Sequence, residues 1–301
     1  MSYTDKLAEL CSSLGCKCSF DEPLKNHVSF RIGGSCKALV SVNSIQCIAE
    51  ILKFCRENGS KYTVLGKGSN VLVSDDGFDG IVLLMGSDFS DITVDGCSLK
   101  CQSGASLKAL CSAALENSLS GLEFAYGIPG TAGGAVFMNA GAYGGEIKDI
   151  IKSADYIDEN GNIMTVSVEN MNLSYRHSIF SDMPYIITGA EFTLEKGDYN
   201  LIKARMNELM AKRKEKQPLE YPSAGSTFKR PQGAYASALI EQCGLKGMSV
   251  GGAEVSTKHS GFVINKGGAT FDDVMQLIEE VRRIVKDKTG YTLEMEPEII
   301  R

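Results

Sequence analysis

Residues 127–145 read GIPGTAGGAVFMNAGAYGG, and the way this stretch is read decides the fold. Seven of its nineteen residues are glycine (Gly127, Gly130, Gly133, Gly134, Gly141, Gly144 and Gly145), and no charge occurs from Phe124 to Gly145. An uncharged run of this length is long enough for a membrane-spanning helix. Pro129, Asn139 and the glycines argue against one, since each interior glycine costs about 1 kcal/mol relative to alanine. The competing reading is a binding surface built from backbone. Glycine reaches φ > 0 and lets N–H groups approach a ligand closely, and successive N–H groups form anion-binding nests. A ligand cradle is the expectation, with a buried glycine-rich packing loop as the alternative.

Upstream, YTVLG (62–66) enters GKGSN (66–70) and leaves as VLVSD (71–75). The loop looks like the dinucleotide fingerprint GxGxxG, but Val71 stands at the third glycine position and a strand follows where that fingerprint needs a helix N-terminus. The Rossmann assignment is rejected. The loop still offers N–H groups, the Ser69 hydroxyl and the Asn70 amide to a phosphate, against the plain alternative of a hairpin loop.

Around these loops the pattern is mixed. The stretch 26–40 alternates into Gly33-Gly34 and reads as a strand entering a tight turn. Ile45, Ile48, Ile51, Leu52 and Cys55 mark a helix over 44–57, capped by Ser44 and closed by Asn58-Gly59. Short strands are expected over 79–103, a helix over 106–117, a hairpin at Asn160-Gly161 and a strand over 184–195. A long helix over 198–216 ends in Lys212, Arg213, Lys214 and Lys216, either a favourable cationic helix end or a rim facing an acidic substrate. A short helix covers 234–244, Thr270 and Asp273 form a capping box for a helix over 271–288, and 292–301 reads as a strand. The order implies an α+β protein with a cofactor region at 26–196, a second domain at 197–289 and a terminal strand at 290–301.

Composition narrows the function. The chain has 301 residues, 43% hydrophobic and 23% charged, with a formal net charge of −6, which argues against a general nucleic-acid or anionic-membrane binder. No apolar run predicts membrane insertion, and the N-terminus shows no secretory h-region. The ten cysteines (11, 16, 18, 36, 47, 55, 97, 101, 111, 243) in a chain of this kind point to a reducing cytoplasm. No paired CxxC motifs accompany them and the three histidines are scattered, so no metal site is expected and the cysteines read as small core residues.

NHVSFRIGG, LGKGSNVLVSDDGFDGIV, the 127–145 stretch with its EIKD continuation, YRHSIF, PSAGSTFKRPQGAYASALIEQCGLKG, GFVINKGGAT and LEMEPEII run in order from residue 26 to the end. Together they closely resemble the UDP-N-acetylenolpyruvoylglucosamine reductase (UDP-N-acetylmuramate dehydrogenase) family, and the chain is more similar to the shorter of its two types. The resemblance implies the FAD-binding fold of the vanillyl-alcohol oxidase (PCMH) type with a C-terminal α/β substrate domain. It implies non-covalent FAD, NADPH as reductant, and reduction of the enolpyruvyl ether of UDP-N-acetylglucosamine to UDP-N-acetylmuramate in peptidoglycan synthesis. Gly66, Gly68, Ser69, Asn70, Gly127, Ile128, Gly130, Thr131, Gly134 and Ala135 match the loops that hold FAD. Arg176 matches the catalytic arginine and Ser226 the proton donor. The third catalytic residue is a terminal glutamate: aligning LExE and the trailing Ile-Ile selects Glu296, aligning Glu-Pro-Glu selects Glu298, and Glu296 is favoured. Arg213 and Lys216 are candidates for the substrate's pyrophosphate with Tyr175 and Arg230, and Lys229 and Arg230 for its charge. A flavin-dependent sugar or alcohol oxidase and a non-catalytic UDP-sugar or nucleotide-binding protein are the other readings. No histidine in either glycine loop offers a covalent flavin anchor, which weighs against the first.

Overall fold

The structure is a computed structural model that describes residues 2–301. Seven α-helices occur among the described residues: α1 Tyr3–Ser13, α2 Ile45–Asn58, α3 Leu107–Glu116, α4 Ala132–Phe137, α5 Tyr199–Lys216, α6 Ala236–Gln242 and α7 Phe271–Thr289. Their ends follow local chemistry. The Ser44 and Ser106 hydroxyls accept from the N–H groups of Cys47 and Ala109, and Thr270 and Asp273 close a capping box. Such caps are each worth about 1 kcal/mol. Gly59 (φ 60°) and Gly290 (φ 80°) end α2 and α7 in the left-handed region.

Packing divides the chain into two compact units. The larger holds residues 2–20, Ala38–Lys67 and Gly80–Arg213. It contains most of a four-stranded sheet, in the order Lys17–Pro23, Ser35–Ser41, Phe78–Leu84, Lys61–Leu65. The apolar faces of α1 and α2 bury Leu7, Ile48, Ile51 and Leu52 in a core shared with Ile81 and Leu83. A second, antiparallel sheet has the order Ile163–Ser167, Ile151–Ile157, Ile186–Thr193, Ser98–Gln102, Ile92–Asp95. Its core takes Leu107, Leu110 and Ala114 from α3, Ala132, Ala135 and Val136 from α4, and Ile202 and Met206 from α5.

The smaller unit holds Asp21–Lys37, Gly68–Asp79 and Lys214–Arg301. A three-stranded antiparallel sheet (Ser249–Val250, Ala253–Val255, Val263–Asn265) and helices α6 and α7 enclose its core. α7 contributes Val274, Leu277, Ile278, Val281 and Val285, all buried.

This division differs from a linear boundary at 197. Phe30, Ile32 and Leu72 bury in the same core as Val281 and Leu293, which draws two N-terminal segments into the smaller unit. The stretch 26–40 also differs from expectation: Leu24–Asn26 is a short 3-10 turn, and the strand Ser35–Ser41 starts only after Gly33-Gly34. The terminal strand is only Glu298–Ile300, paired in parallel with Val71–Val73. Pro297, lacking an N–H, cannot extend that ladder. The strands flanking residues 66–70 do not pair with each other, because Lys61–Leu65 runs parallel to Phe78–Leu84. The GKGSN loop is therefore a crossover between sheets, not a hairpin.

Candidate active site

In the larger unit the two glycine-rich loops meet. A Cβ on Gly66 would lie 2.5 Å from Thr131 Oγ1, so only glycine allows this approach. Thr131 in turn caps α4, its hydroxyl accepting from the Gly134 N–H. The packing alternative holds for part of 127–145, since Cβ atoms at Gly133 and Gly145 would press within 2.8 Å of Ser103 Cβ and within 2.7 Å of the Phe124 ring. The N–H groups of Ile128, Gly134 and Ala135 are taken by Ala125 O, Thr131 Oγ1 and Thr131 O. Those of Gly127 and Gly130 have no acceptor among the described residues. The stretch is thus part packing loop, part open backbone.

In the smaller unit Gly68 (φ 56°) lies against the 27–28 backbone, where a Cβ would sit 2.5 Å from His27 O. Ser29 Oγ ties the same segment to Ser223 O at 2.6 Å. Beside it opens a cavity of about 410 Å³ lined by Lys25, Asn26, Val28 and Arg31. Neither cation pairs with a carboxylate among the described residues, and Arg31 is held at φ 56°. The Asn70 side-chain amide donates to Glu296 O at 3.3 Å, and the Asn70 main-chain carbonyl accepts from the Glu298 N–H.

Arg176 belongs to the larger unit and stands on a tight turn. Ser174 and His177 exchange both main-chain hydrogen bonds, and Arg176 between them has φ 55°, a conformation that favours glycine. Three contacts pin this turn to the glycine stretch. The Asn139 amide donates to Ser174 O at 2.9 Å, Arg176 Nη2 to Gly141 O at 3.3 Å, and Ser178 Oγ to Phe137 O at 2.7 Å. Asn139 is fully buried, itself left-handed (φ 41°), and also accepts from the Lys148 N–H and donates to Glu146. Lys148 holds the Glu146 carboxyl below the usual range, with Asn139 and the charge of Arg176 adding to the effect. Sequence reasoning missed Asn139 as a site residue, although it is the one amide side chain in an uncharged stretch and so needed partners wherever it was buried.

Ser226 and Glu296 both lie in the smaller unit, on adjacent segments. Phe228 and Met295 form a bridge, the Glu296 N–H donates to Thr227 O at 2.9 Å, and the Lys229 N–H donates to Glu294 O at 2.8 Å. Thr227 is fixed from its other side by Gly261 O and the Val263 N–H. His259, whose pKa burial lowers, accepts the Gly261 N–H on Nδ1. Glu296 is half-buried, whereas Glu298 is exposed on its strand.

The basic helix end proves heterogeneous. Lys216 is exposed, as a solvated face would be. Arg213 is not: its Nε is buried without a hydrogen-bond partner, its Cδ would meet a Gly127 Cβ at 2.9 Å, and burial lowers its pKa. Of the two cations expected to face the substrate, Lys216 is exposed and Arg213 packs against a glycine loop. The exposed Tyr175 ring lies 5.1 Å from the Arg176 guanidinium carbon, Arg230 stacks 4.6 Å over Tyr235, and Lys229 approaches Glu294 at 3.9 Å.

Open N–H groups, apposed glycine loops and a half-buried guanidinium whose Nε lacks a hydrogen-bond partner suit a diphosphate-bearing cofactor. Residues 36–167 match the family profile described as FAD binding domain, and residues 217–300 that of UDP-N-acetylenolpyruvoylglucosamine reductase, C-terminal domain. The class is therefore a flavoprotein with an FAD-binding domain, on the α+β PCMH-type fold. The chain is 50% identical over 277 residues to the UDP-N-acetylenolpyruvoylglucosamine reductase of Clostridium novyi, covering 92% of this chain and 90% of that one. It is 48% identical over 295 residues to that of Caldanaerobacter subterraneus, covering 98% and 96%. The crystal structure of the reductase from Thermus caldophilus superposes with a TM-score of 0.80 at 32% identity, over 95% of this chain and 99% of that one. The chain belongs to the UDP-N-acetylenolpyruvoylglucosamine reductase family.

Proposed function

We propose that this chain is an NADPH-dependent FAD oxidoreductase that reduces UDP-N-acetylglucosamine enolpyruvate to UDP-N-acetylmuramate, in the cytoplasm, for peptidoglycan synthesis. Bound FAD, once reduced by NADPH, supplies the hydride that reaches the enolpyruvyl β-carbon. The chain's own residues bind, polarise and protonate. Gly66, Gly68, Ser69, Gly127, Gly130 and Thr131 line the cofactor's diphosphate. Asn70, Ile128, Gly134 and Ala135 shape the loops, since the Asn70 side-chain NH₂ and the N–H groups of the other three are engaged within the protein. Arg213, half-buried beside Gly127, is assigned to the cofactor side, because its buried Nε lacks a hydrogen-bond partner and an anion there would supply one.

Hydride addition pushes negative charge onto the α-carbon and its carboxylate. A guanidinium grips a carboxylate at two points, which is the role given to Arg176. Ser226 Oγ delivers the proton to the α-carbon, and Glu296 stands beside the developing enolate. A serine is a poor acid in water, so the donor must be held among neighbours that favour its transfer. Tyr175, Lys216, Lys229 and Arg230 are the candidates for the UDP-sugar's charge. The observation that carries this reading is the Thr227–Glu296 ladder, which sets the donor's segment directly against the glutamate's.

Anaerobic mixing tests it. NADPH should bleach the flavin, and the colour should return only when the enolpyruvyl UDP-sugar is added. Rapid recolouring by dioxygen with peroxide formation would instead assign the chain to the oxidases. A purified protein that stays colourless when given FAD would assign it to the binding proteins.

A further inference from the structure

Residues 172–178 form the loop that carries Arg176. Its base is closed by the Ile179 N–H, which donates to Met171 O at 2.7 Å, with Met171 and Phe180 buried at its feet. Two of its residues are held left-handed, Asn172 (φ 50°) and Arg176 (φ 55°). Such backbone persists only where surrounding contacts over-determine it. Some of those contacts come from the glycine stretch, through Phe137 O, Asn139 and Gly141 O. A further hold comes from inside the loop, through the imidazole of His177. Its Nδ1 lies 3.1 Å from Asn172 O, and its Nε2 lies 3.0 and 3.2 Å from the two carboxylate oxygens of Asp182. The ring thus reaches from the first residue of the loop to Asp182, which ends the 3-10 turn Ile179–Ser181.

The partners decide which form of the ring fits. A main-chain oxygen only accepts, and so does an ionised carboxylate. A neutral imidazole has one N–H and one lone pair, so one of its nitrogens would face an oxygen with no proton between them. Only the imidazolium, with a donor on each nitrogen, satisfies both ends. Asp182 is the one carboxylate paired with the ring among the described residues. On the neighbouring glycine stretch, Lys148 pairs with Glu146 at 2.7 Å, and the charge of Arg176 acts on Glu146.

We infer that His177 is a positioning residue: its imidazolium straps Asn172 to Asp182 and holds the turn that aims Arg176. This rests on the reading of Arg176 as the grip on the substrate's carboxylate. Loss of the proton leaves one end of the strap facing an unmatched oxygen, and the turn loosens. The hold is present while the ring is charged, so reduction of the sugar should fall as the pH rises through the titration of His177. Asp182→Asn changes this. The amide can donate as well as accept, so a neutral ring with its proton on Nδ1 then satisfies both ends.

The test uses the FAD-loaded protein with its flavin reduced beforehand without oxygen, so that only reduction of the enolpyruvyl sugar is read. Rates at limiting sugar are taken from about pH 5 to about pH 9, the range that brackets histidine titration. Imidazole nitrogen NMR spectra of labelled protein follow the rings over the same range. The chain has three histidines, and the His177 signals are those lost in His177→Gln. The expected result is a fall of about threefold to fivefold, the scale of one partly exposed charge-assisted bond, with the same midpoint as the His177 signals. His177→Gln should stay at the lower rate throughout, and Asp182→Asn at the higher rate throughout. A merely structural strap would lower the rate in either variant without altering the pH profile. A flat wild-type profile, a fall that survives in His177→Gln or in Asp182→Asn, or a midpoint different from that of the His177 signals would overturn the inference. Arg176→Gly separates the two ways to fail. If sugar reduction persists in it, the arginine's role falls and the strap's with it. If sugar reduction is lost in it while His177→Gln keeps the wild-type profile, only the strap falls.

Discussion

Arg176 stands on a two-residue turn, held in the left-handed region and pinned from three sides to the glycine stretch. Ser226 and Glu296 stand on extended segments whose main chains are joined at Thr227–Glu296, Phe228–Met295 and Lys229–Glu294. The arginine's conformation carries a strain of about 1–3 kcal/mol, which persists only because surrounding contacts over-determine it. The serine and glutamate have no such outlier, and an isolated bridge with its flanking main-chain hydrogen bonds joins their segments. A strained anchor suits a long, flexible cation whose head must arrive in one orientation. Register suits short side chains whose position is nearly that of their Cα. The contrast predicts that side-chain changes on the ladder should show in chemistry and not in stability, and that loss of the contacts holding the turn should show in stability.

The largest effect is expected at Ser226. Ser226→Ala should leave flavin reduction by NADPH unchanged and slow reduction of the enolpyruvyl sugar by about 10²–10⁴-fold, the range for losing a positioned proton donor. Rapid-mixing absorbance separates the two half-reactions, and equal slowing of both would remove Ser226 from the donor role. Next comes the pair Glu296→Gln and Glu298→Gln. Turnover should fall about 10²-fold for the first, as when one stabilising group is lost. The exposed Glu298 should change it by less than about twofold. The opposite ranking would show that Glu298 is the catalytic member.

On the turn side, Asn139→Ala leaves Ser174 O, the Lys148 N–H and Glu146 short of a buried partner. Urea unfolding should report a loss of about 2–3 kcal/mol. Asn139→Gly keeps the left-handed backbone and loses only the side-chain bonds, so it should lose less. Equal losses in the two variants would mean that the backbone conformation is not what Asn139 supplies.

Much of this was legible in the residues. The caps at Ser44, Ser106 and Thr270, the apolar stripes of α2, α3 and α7 and the glycine loops are local signals, and the structure returns each of them. What was not legible is long-range. Nothing near residue 72 announces that Val71–Val73 pairs with Glu298–Ile300, or that Leu72 shares a core with α7. Arg213 looked like one more cation on a basic helix end, because Gly127, whose backbone it packs against, lies some eighty residues earlier in the chain. The resemblance marked Arg176 by its motif, but the strain at φ 55° is a property of backbone that no residue pattern displays.

The smallest effect on stability is also the sharpest test of the contrast. Arg176→Gly removes the catalytic cation and at the same time relieves the left-handed backbone. Glycine adopts φ > 0 without the Cβ penalty but loses more entropy on folding. The balance, with the Gly141 bond gone, should leave stability unchanged or raised by about 1 kcal/mol in urea unfolding, while sugar reduction is lost. Arg176→Lys separates the two contributions. It keeps the Cβ and the strain, so stability should stay at the wild-type value, and it replaces a two-point grip by a point charge, so sugar reduction should slow while flavin reduction by NADPH persists. If Arg176→Gly instead destabilised the protein by several kcal/mol, the guanidinium would be holding the turn together, and the turn could not be said to hold the guanidinium.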